Sequence, residues 1–130
     1  MKKLLLLGAG AQGSTVAKRM NEEPGVSEIL CADYDEKAVK EMERTLKKAT
    51  ALKLDATRVE NIVQAAEGVD LVVNALPIVL APNALQAALE AGVNYQDFAA
   101  AEFEGIDFDK GIELLLTEWT MAHSSEEIAR

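Results

Sequence analysis

Short apolar runs alternate with amphipathic windows along this chain, and the alternation predicts its elements in order. Residues 3–7 (KLLLL) form a continuous apolar run of strand length, which suits a parallel strand covered on both faces. Residues 11–22 read as a helix with Val16, Ala17 and Met20 on one side, closed by Pro24-Gly25. Residues 27–32 (SEILCA) form a second strand. Asp35 then stands as the N-cap of a helix through Lys48, with Val39, Met42 and Leu46 on one face and charged residues opposite. Residues 51–54 (ALKL) are a short third strand. Thr57-Arg58-Val59-Glu60 has the form of a capping box, and it opens a helix whose inner face carries Val59, Ile62, Val63 and Ala66 before Gly68 ends it. Residues 69–75 (VDLVVNA) make the fourth strand. Pro82 sits in the first turn of a helix that runs to Ala91 and stops at Gly92, and residues 93–98 (VNYQDF) make the fifth strand.

Regular alternation of strand and helix with short connections predicts an α/β fold, a doubly wound parallel sheet of five or six strands in a single domain. Residues 1–98 form its core and residues 99–130 a C-terminal helical extension. In that extension Ile112, Leu115, Leu116 and Trp119 have helical spacing, with GIELLL as an alternative sixth strand. Ser124-Ser125-Glu126-Glu127 has the form of a cap for a last turn.

Composition narrows the function classes. At 130 residues and 49% apolar content the chain can bury one core. Its net charge of −9 argues against duplex nucleic acid or an anionic membrane as the main partner, since both reward a basic face. The single cysteine, Cys31, lies in an apolar run and reads as a buried core residue. With one histidine, His123, and no C-x-x-C pair, no zinc site is expected. No stretch approaches a transmembrane span. Lys2, Lys3 and the leucines resemble the start of a secretory signal, but the run breaks at Gln12-Gly13 and continues as an amphipathic helix. A cytoplasmic location is expected.

The chemistry is concentrated at strand ends. Gly8, Gly10 and Gly13 (GAGAQG) leave the first strand and enter the first helix, where free backbone N–H groups and the positive helix end converge on one spot. In a pyrophosphate-binding turn Gly8 allows the tight bend, Gly10 the approach of phosphate oxygens, and Gly13 the packing of helix on strand. A P-loop needs lysine after the last glycine, and here Gly13-Ser14-Thr15 has none. Asp33 follows the second strand, 20 positions after Gly13, where a carboxylate accepts ribose hydroxyls and repels a 2′-phosphate. NAD is therefore expected rather than NADP. The alternative is that Asp33 is only a solvated loop carboxylate. Tyr34 is placed to lie along an adenine, and Asp35 serves as a helix cap. Asp55 follows the third strand, where it can accept from the adenine amino group, and Thr57 is a cap. Asn74, a polar residue inside VDLVVNALP, either holds a neighbouring loop or faces the nicotinamide end. Pro77 and Pro82 stiffen the loop between them. A scaffold without ligand, its glycines serving only the turn, is the bland alternative.

GAGAQG, CADYDEKA, KLDAT, VDLVVNALP and AALEAGVNYQD together resemble the N-terminal NAD(P)-binding Rossmann domain of the saccharopine dehydrogenase family, over residues 2–98. The resemblance implies that Gly8, Gly10, Ala11, Gln12, Gly13 and Asp33 hold NAD or NADP. It extends the set to Asp55, Ala56, Asn74, Leu76 and Pro77 in the loops after strands three and four. It further implies hydride transfer at secondary amines of amino acids, in a chain that lacks the family's substrate domain and is inactive alone. A homodimer or a partner chain carrying that domain is the expected assembly. The tail after residue 98 does not align with the family, and none of Asp97, Lys110 or His123 takes a catalytic role. The chain also resembles the regulatory nucleotide-binding modules of potassium-transport proteins in length, glycine turn, acidic residue and Asp55-Ala56-Thr57. NALPIVLAPNALQAALEAGVNYQD favours the dehydrogenase family over those modules.

Overall fold

Strands and helices alternate strictly along residues 1–97, the residues that the computed structural model describes. They are β1 (Lys2–Leu7), α1 (Ala11–Asn21), β2 (Val26–Asp33), α2 (Glu36–Thr45), β3 (Ala49–Lys53), α3 (Val59–Ala65), β4 (Leu71–Asn74), α4 (Ala81–Ala91) and β5 (Asn94–Asp97). The sheet has the order β3-β2-β1-β4-β5, and every neighbouring pair is parallel. Right-handed crossovers put α1 and α2 on one face and α3 with α4 on the other, and α3 packs directly on α4. The chain reverses its direction of travel across the sheet after β3. The connections that leave β1 and β4 therefore lead to helices on opposite faces, which leaves a crevice at the ends of these strands.

β1 takes the middle because it can be buried on both faces. Leu4, Leu5, Leu6 and Leu7 are all at most 2% exposed and pair with β2 on one side and β4 on the other. Burying each such side chain contributes about 1.5–3 kcal/mol. Ile29 and Cys31 of β2 and Leu71, Val72 and Val73 of β4 extend the same layer. The leucines of the opening stretch are thus the centre of the sheet. No helix among the described residues is long and apolar enough to cross a membrane.

Several boundaries differ from the sequence expectation, each for a tertiary reason. α2 stops at Thr45, short of Lys48, because the next backbone groups take other partners. The Lys48 N–H donates to Asn21 Oδ1 at 3.0 Å, and the Lys48 carbonyl accepts from Ile29 of β2 at 2.9 Å. β3 consequently starts at Ala49 and not at Ala51. β4 starts at Leu71 because Asp70 turns aside: its N–H donates to the Lys3 carbonyl, and its carboxylate accepts from the Lys3 N–H, both at 2.8 Å. A short 3₁₀ turn, Ile78–Leu80, precedes α4, with Pro82 in the first turn as expected. β5 covers Asn94–Asp97.

The capping box at Thr57 does not form. The N-cap of α3 is Arg58, with no side-chain hydrogen bond. Thr57 instead directs both its N–H (3.0 Å) and its hydroxyl (2.6 Å) to Asp55 Oδ1. As a cap the hydroxyl would accept from the helix start; here it is turned to donate to a carboxylate, a strong charge-assisted bond that fixes it in the preceding loop. The residues singled out in the C-terminal extension (Lys110, Ile112, Leu115, Leu116, Trp119, His123 and Ser124) lie outside the described residues, as does the alternative sixth strand.

Cys31 is buried, as expected. Burial, and after it the charge of Glu43, pushes its thiol up from 9.0 to about 12. The folded state therefore holds this proton more tightly than the unfolded chain does. The associated stability is complete below the ordinary thiol range and is lost as pH rises toward the folded value. Folded protein at pH 8 is expected to react with an aromatic disulfide reagent many times more slowly than protein in denaturant. Equal rates would show the thiol to be accessible. Urea midpoints are expected to fall from about pH 9 upward.

Candidate functional site

The crevice is built from backbones that approach unusually closely. Gly8 ends β1 with φ +107°, and a Cβ there would lie 2.7 Å from the carbonyl oxygen of Ala75, just past β4. Gly13, in the first turn of α1, would place a Cβ 1.9 Å from the Gly8 carbonyl oxygen. Gly8 donates to the Ala32 carbonyl at 2.8 Å, and Ala75 donates to the Leu7 carbonyl at 2.7 Å. The end of β1, the start of α1 and the exit of β4 are thereby locked together. Gly10 is different: a Cβ on it would meet nothing within 4 Å. Gly10 is the N-cap of α1, which has no capping side chain and no acid in its first turn. The N–H groups of Ala11, Gln12 and Gly13 have no acceptor within the helix. They lie at the positive end of α1, next to the open space at Gly10.

Asp33 closes one flank of this opening. Its Oδ2 accepts from the Ala9 N–H at 2.7 Å, and its Oδ1 accepts from the Asp35 N–H at 2.9 Å. The carboxylate therefore braces the glycine turn itself, with one oxygen for each donor. Asp35 caps α2 by accepting from Ala38 at 3.2 Å, as expected. Tyr34 is 68% exposed, and the Lys53 ammonium stands 5.0 Å from its ring centre. Lys53 pairs with Asp33 in the register of β2 and β3.

The loop after β3 carries Asp55 and Ala56. Asp55 is ionised below the usual carboxylate range, chiefly because the Thr57 hydroxyl and then the Thr57 N–H donate to it. The Asp55 carbonyl accepts from Asn61 at 3.2 Å, and the Ala56 carbonyl accepts from Asn83 of α4 at 3.0 Å. Ala56 is buried in the core cluster, so this loop is held from beneath by α3 and α4.

On the other flank Asn74 is 3% exposed, the one buried polar residue among those described. Of its two expected roles it takes the holding of a loop: Oδ1 accepts from the Leu76 N–H at 3.0 Å. Its amide nitrogen donates to the Tyr95 hydroxyl at 3.2 Å, which donates to Asp97 Oδ2 at 3.1 Å. Burial pushes the Tyr95 phenol up to about 12, opposed by the Asn74 hydrogen bond and reinforced by the charge of Asp97. Leu76 packs against the core, and Pro77 is exposed ahead of the 3₁₀ turn.

The structure thus joins Gly8, Gly13, Asp33, Asn74 and Leu76 through direct backbone and side-chain contacts, with Gly10, Ala11 and Gln12 at the opening. The described contacts of Asp55 and Ala56 run to α3 and α4, and that of Tyr34 runs to Lys53. Ala9, Lys53, Asn83 and Tyr95 were not legible as site residues. Tyr95 alone had a usable signal: it alternates with Asp97 along β5, and Asp97 is the register partner of Asn74. No group of three or more His, Cys, Asp or Glu side chains that could hold a metal occurs among the described residues.

A family model described as "Saccharopine dehydrogenase NADP binding domain" matches residues 4–127, so the likeness runs past residue 98 and into the tail. Among solved structures, the apo saccharopine dehydrogenase (L-Glu forming) of Saccharomyces cerevisiae superposes with a TM-score of 0.69 at 18% identity, covering 76% of this chain and 22% of that one. A Rossmann-fold NAD(P)-binding family protein from Shigella flexneri gives 0.62 at 17% identity, covering 73% and 50%. A short-chain dehydrogenase/reductase from Veillonella parvula gives 0.61 at 11% identity, covering 74% and 46%. The chain spans half or less of the length of each of these structures. At these identities the structures establish the Rossmann fold, and the family model establishes the family.

The glycines are expected to separate by role. Gly8→Ala and Gly13→Ala should each destabilise by about 3 kcal/mol or more, because backbone atoms occupy the new methyl position. Gly10→Ala should cost about 1 kcal/mol, the loss of a favourable N-cap. Urea unfolding checks the order, and a Gly10 variant as damaged as the Gly13 variant would contradict it.

Proposed function

This chain belongs to the saccharopine dehydrogenase NADP-binding-domain family, and on that basis we propose that it holds a nicotinamide dinucleotide for an amino-acid oxidoreductase. One observation carries the reading beyond the family: an uncapped helix start opens on free space at Gly10 while Gly8 and Gly13 are crowded by backbone. A ligand-free scaffold would need the two crowded glycines, whereas at the Gly10 cap a serine, aspartate or asparagine would serve it better. The residues fit the cofactor by their donor chemistry. The N–H groups of Ala11, Gln12 and Gly13 suit a pyrophosphate, Asp33 a ribose, and Tyr34 with the Asp55-Ala56 loop an adenine. Asn74, Leu76 and Pro77 line the way toward the nicotinamide. Bound nicotinamide supplies hydride transfer, and these residues bind and orient it. We assign no catalytic side chain. Substrate-holding groups would come from a further domain, a second copy of this chain or a partner chain, in the cytoplasm.

The family's description names NADP, whereas the residue at the ribose position is an aspartate. A carboxylate fixed by two N–H donors cannot swing away from a 2′-phosphate, and that repulsion favours NAD. Lys53, beside Tyr34, offsets part of it, so NADP binding is weakened and not abolished. The potassium-transport type of module has no comparable support, since the matching family is the dehydrogenase one.

Thermal unfolding in the presence of NADH, NADPH, ATP or buffer tests the proposal, because a ligand of the folded state alone raises the melting temperature. NADH is expected to give the largest shift, worth about 2.7 kcal/mol at a hundredfold excess over Kd. Gly10→Ala, still folded, should lose most of it. Asp33→Asn can accept from only one of its two N–H donors, so it should destabilise by about 1–3 kcal/mol. It should also weaken NADH more than NADPH. No shift with any nucleotide would refute cofactor binding, and an unchanged NADH-to-NADPH ratio in Asp33→Asn would remove Asp33 from the ribose site.

A further inference from the structure

The strand order separates the crevice into two halves. β2 and β3, with Asp33 and Asp55, lie on one side of β1, and β4 and β5 lie on the other. A dinucleotide laid across this switch point puts its adenosine toward β2 and its second nucleoside toward β4. The polar groups on the β4 side form a single directed chain. A phenol carries one proton, and that of Tyr95 goes to the Asp97 carboxylate. The hydroxyl oxygen is then an acceptor only, so the Asn74 amide must turn its nitrogen toward Tyr95. Its oxygen is left to face the Leu76 N–H. A phenol keeps that proton at neutral pH, and burial raises its pKa further, to about 12.

The loop so held is not peripheral. Between Asn74 and Leu76 lies Ala75, whose carbonyl occupies the place a Gly8 side chain would take. Its N–H donates to Leu7 at 2.7 Å, so the loop is tied to the glycine turn on one side and to Asn74 on the other. Without the Tyr95 hydroxyl the Asn74 nitrogen is a buried donor with no partner. Either it stays unsatisfied or the loop shifts to relieve it, and both outcomes disturb the wall of the crevice.

Resting on the dinucleotide reading above, we propose that Tyr95 is a positioning residue: through Asn74 it sets the Ala75–Pro77 loop against the nicotinamide half of the cofactor, with Asp97 fixing the direction of its hydroxyl. Tyr95 touches no cofactor in this role. Its removal should cost affinity for the whole dinucleotide while leaving the adenosine half untouched.

The test compares NADH with ADP as probes, using the full chain as wild type, Tyr95→Phe, Asp97→Ala and the double variant, by calorimetry or NADH fluorescence. Tyr95→Phe is expected to weaken NADH about tenfold, the cost of one unsatisfied buried donor. ADP should change by less than about twofold, a tenfold loss corresponding to about 1.4 kcal/mol. The double variant should bind NADH no more weakly than Tyr95→Phe, because both residues act through one hydrogen-bond chain. A general structural role would weaken NADH and ADP together, and that result, or unchanged NADH affinity in Tyr95→Phe, overturns the inference. Additive losses in the double variant also overturn it. ADP binding reports that each variant is folded. Failure of wild type to bind either probe overturns the cofactor reading itself, which distinguishes the two failures.

Discussion

Three backbones meet where β1 ends, and the geometry of the site depends on their being able to touch. With the position of a Gly13 Cβ only 1.9 Å from the Gly8 carbonyl, no side chain can separate helix α1 from the strand it leaves. That contact fixes the direction of α1 and brings its uncapped N-terminus over the crevice. Gly8 makes the corresponding contact with Ala75, which brings the exit of β4 against the same turn. The missing side chains let these backbones approach, and the hydrogen bonds from Gly8 to Ala32 and from Ala75 to Leu7 hold them in one place. The leucine strand beneath supplies the rigidity, since Leu4 to Leu7 are packed from both faces and cannot yield.

Polar groups then stiffen what packing has assembled, and each flank uses a different device. On the β2 side a charge does the work: Asp33 takes two N–H groups on separate oxygens and ties the helix-capping turn at Asp35 to the glycine turn at Ala9. On the β4 side a neutral amide does it, because Asn74 is buried where an uncompensated carboxylate would be far more costly. The carboxylate of that flank, Asp97, accepts from the Tyr95 hydroxyl, which in turn accepts from the Asn74 amide. One flank of the glycine turn is therefore held by a charged group and the other by a neutral amide.

Much of this was legible from residues alone. The order of elements, the parallel sheet and the central place of the leucines follow from periodicity, because burial on both faces admits only a continuous apolar run. The glycine turn and Asp33 were legible through spacing. Boundaries were less so: α2 was read three residues too long because Lys48 keeps helical character in sequence while its backbone is claimed by Asn21 and β2. The capping box failed for a related reason. Its sequence form at Thr57 is correct, but the hydroxyl that would accept from the helix start is turned to donate to Asp55 two residues earlier.

The sequence by itself determined the α/β class, the strand that sits at the centre and the glycine turn that leaves it, since local periodicity and glycine spacing encode them directly. Only the tertiary structure decided which of the three glycines faces open space. It alone revealed that the Asp33 carboxylate braces the glycine turn, and that Tyr95 holds Asn74 from a strand 21 residues away. Those are contacts between distant segments. Spacing along the chain places a residue at a strand end, but which neighbour claims its hydrogen-bonding groups is settled by the geometry that packing imposes.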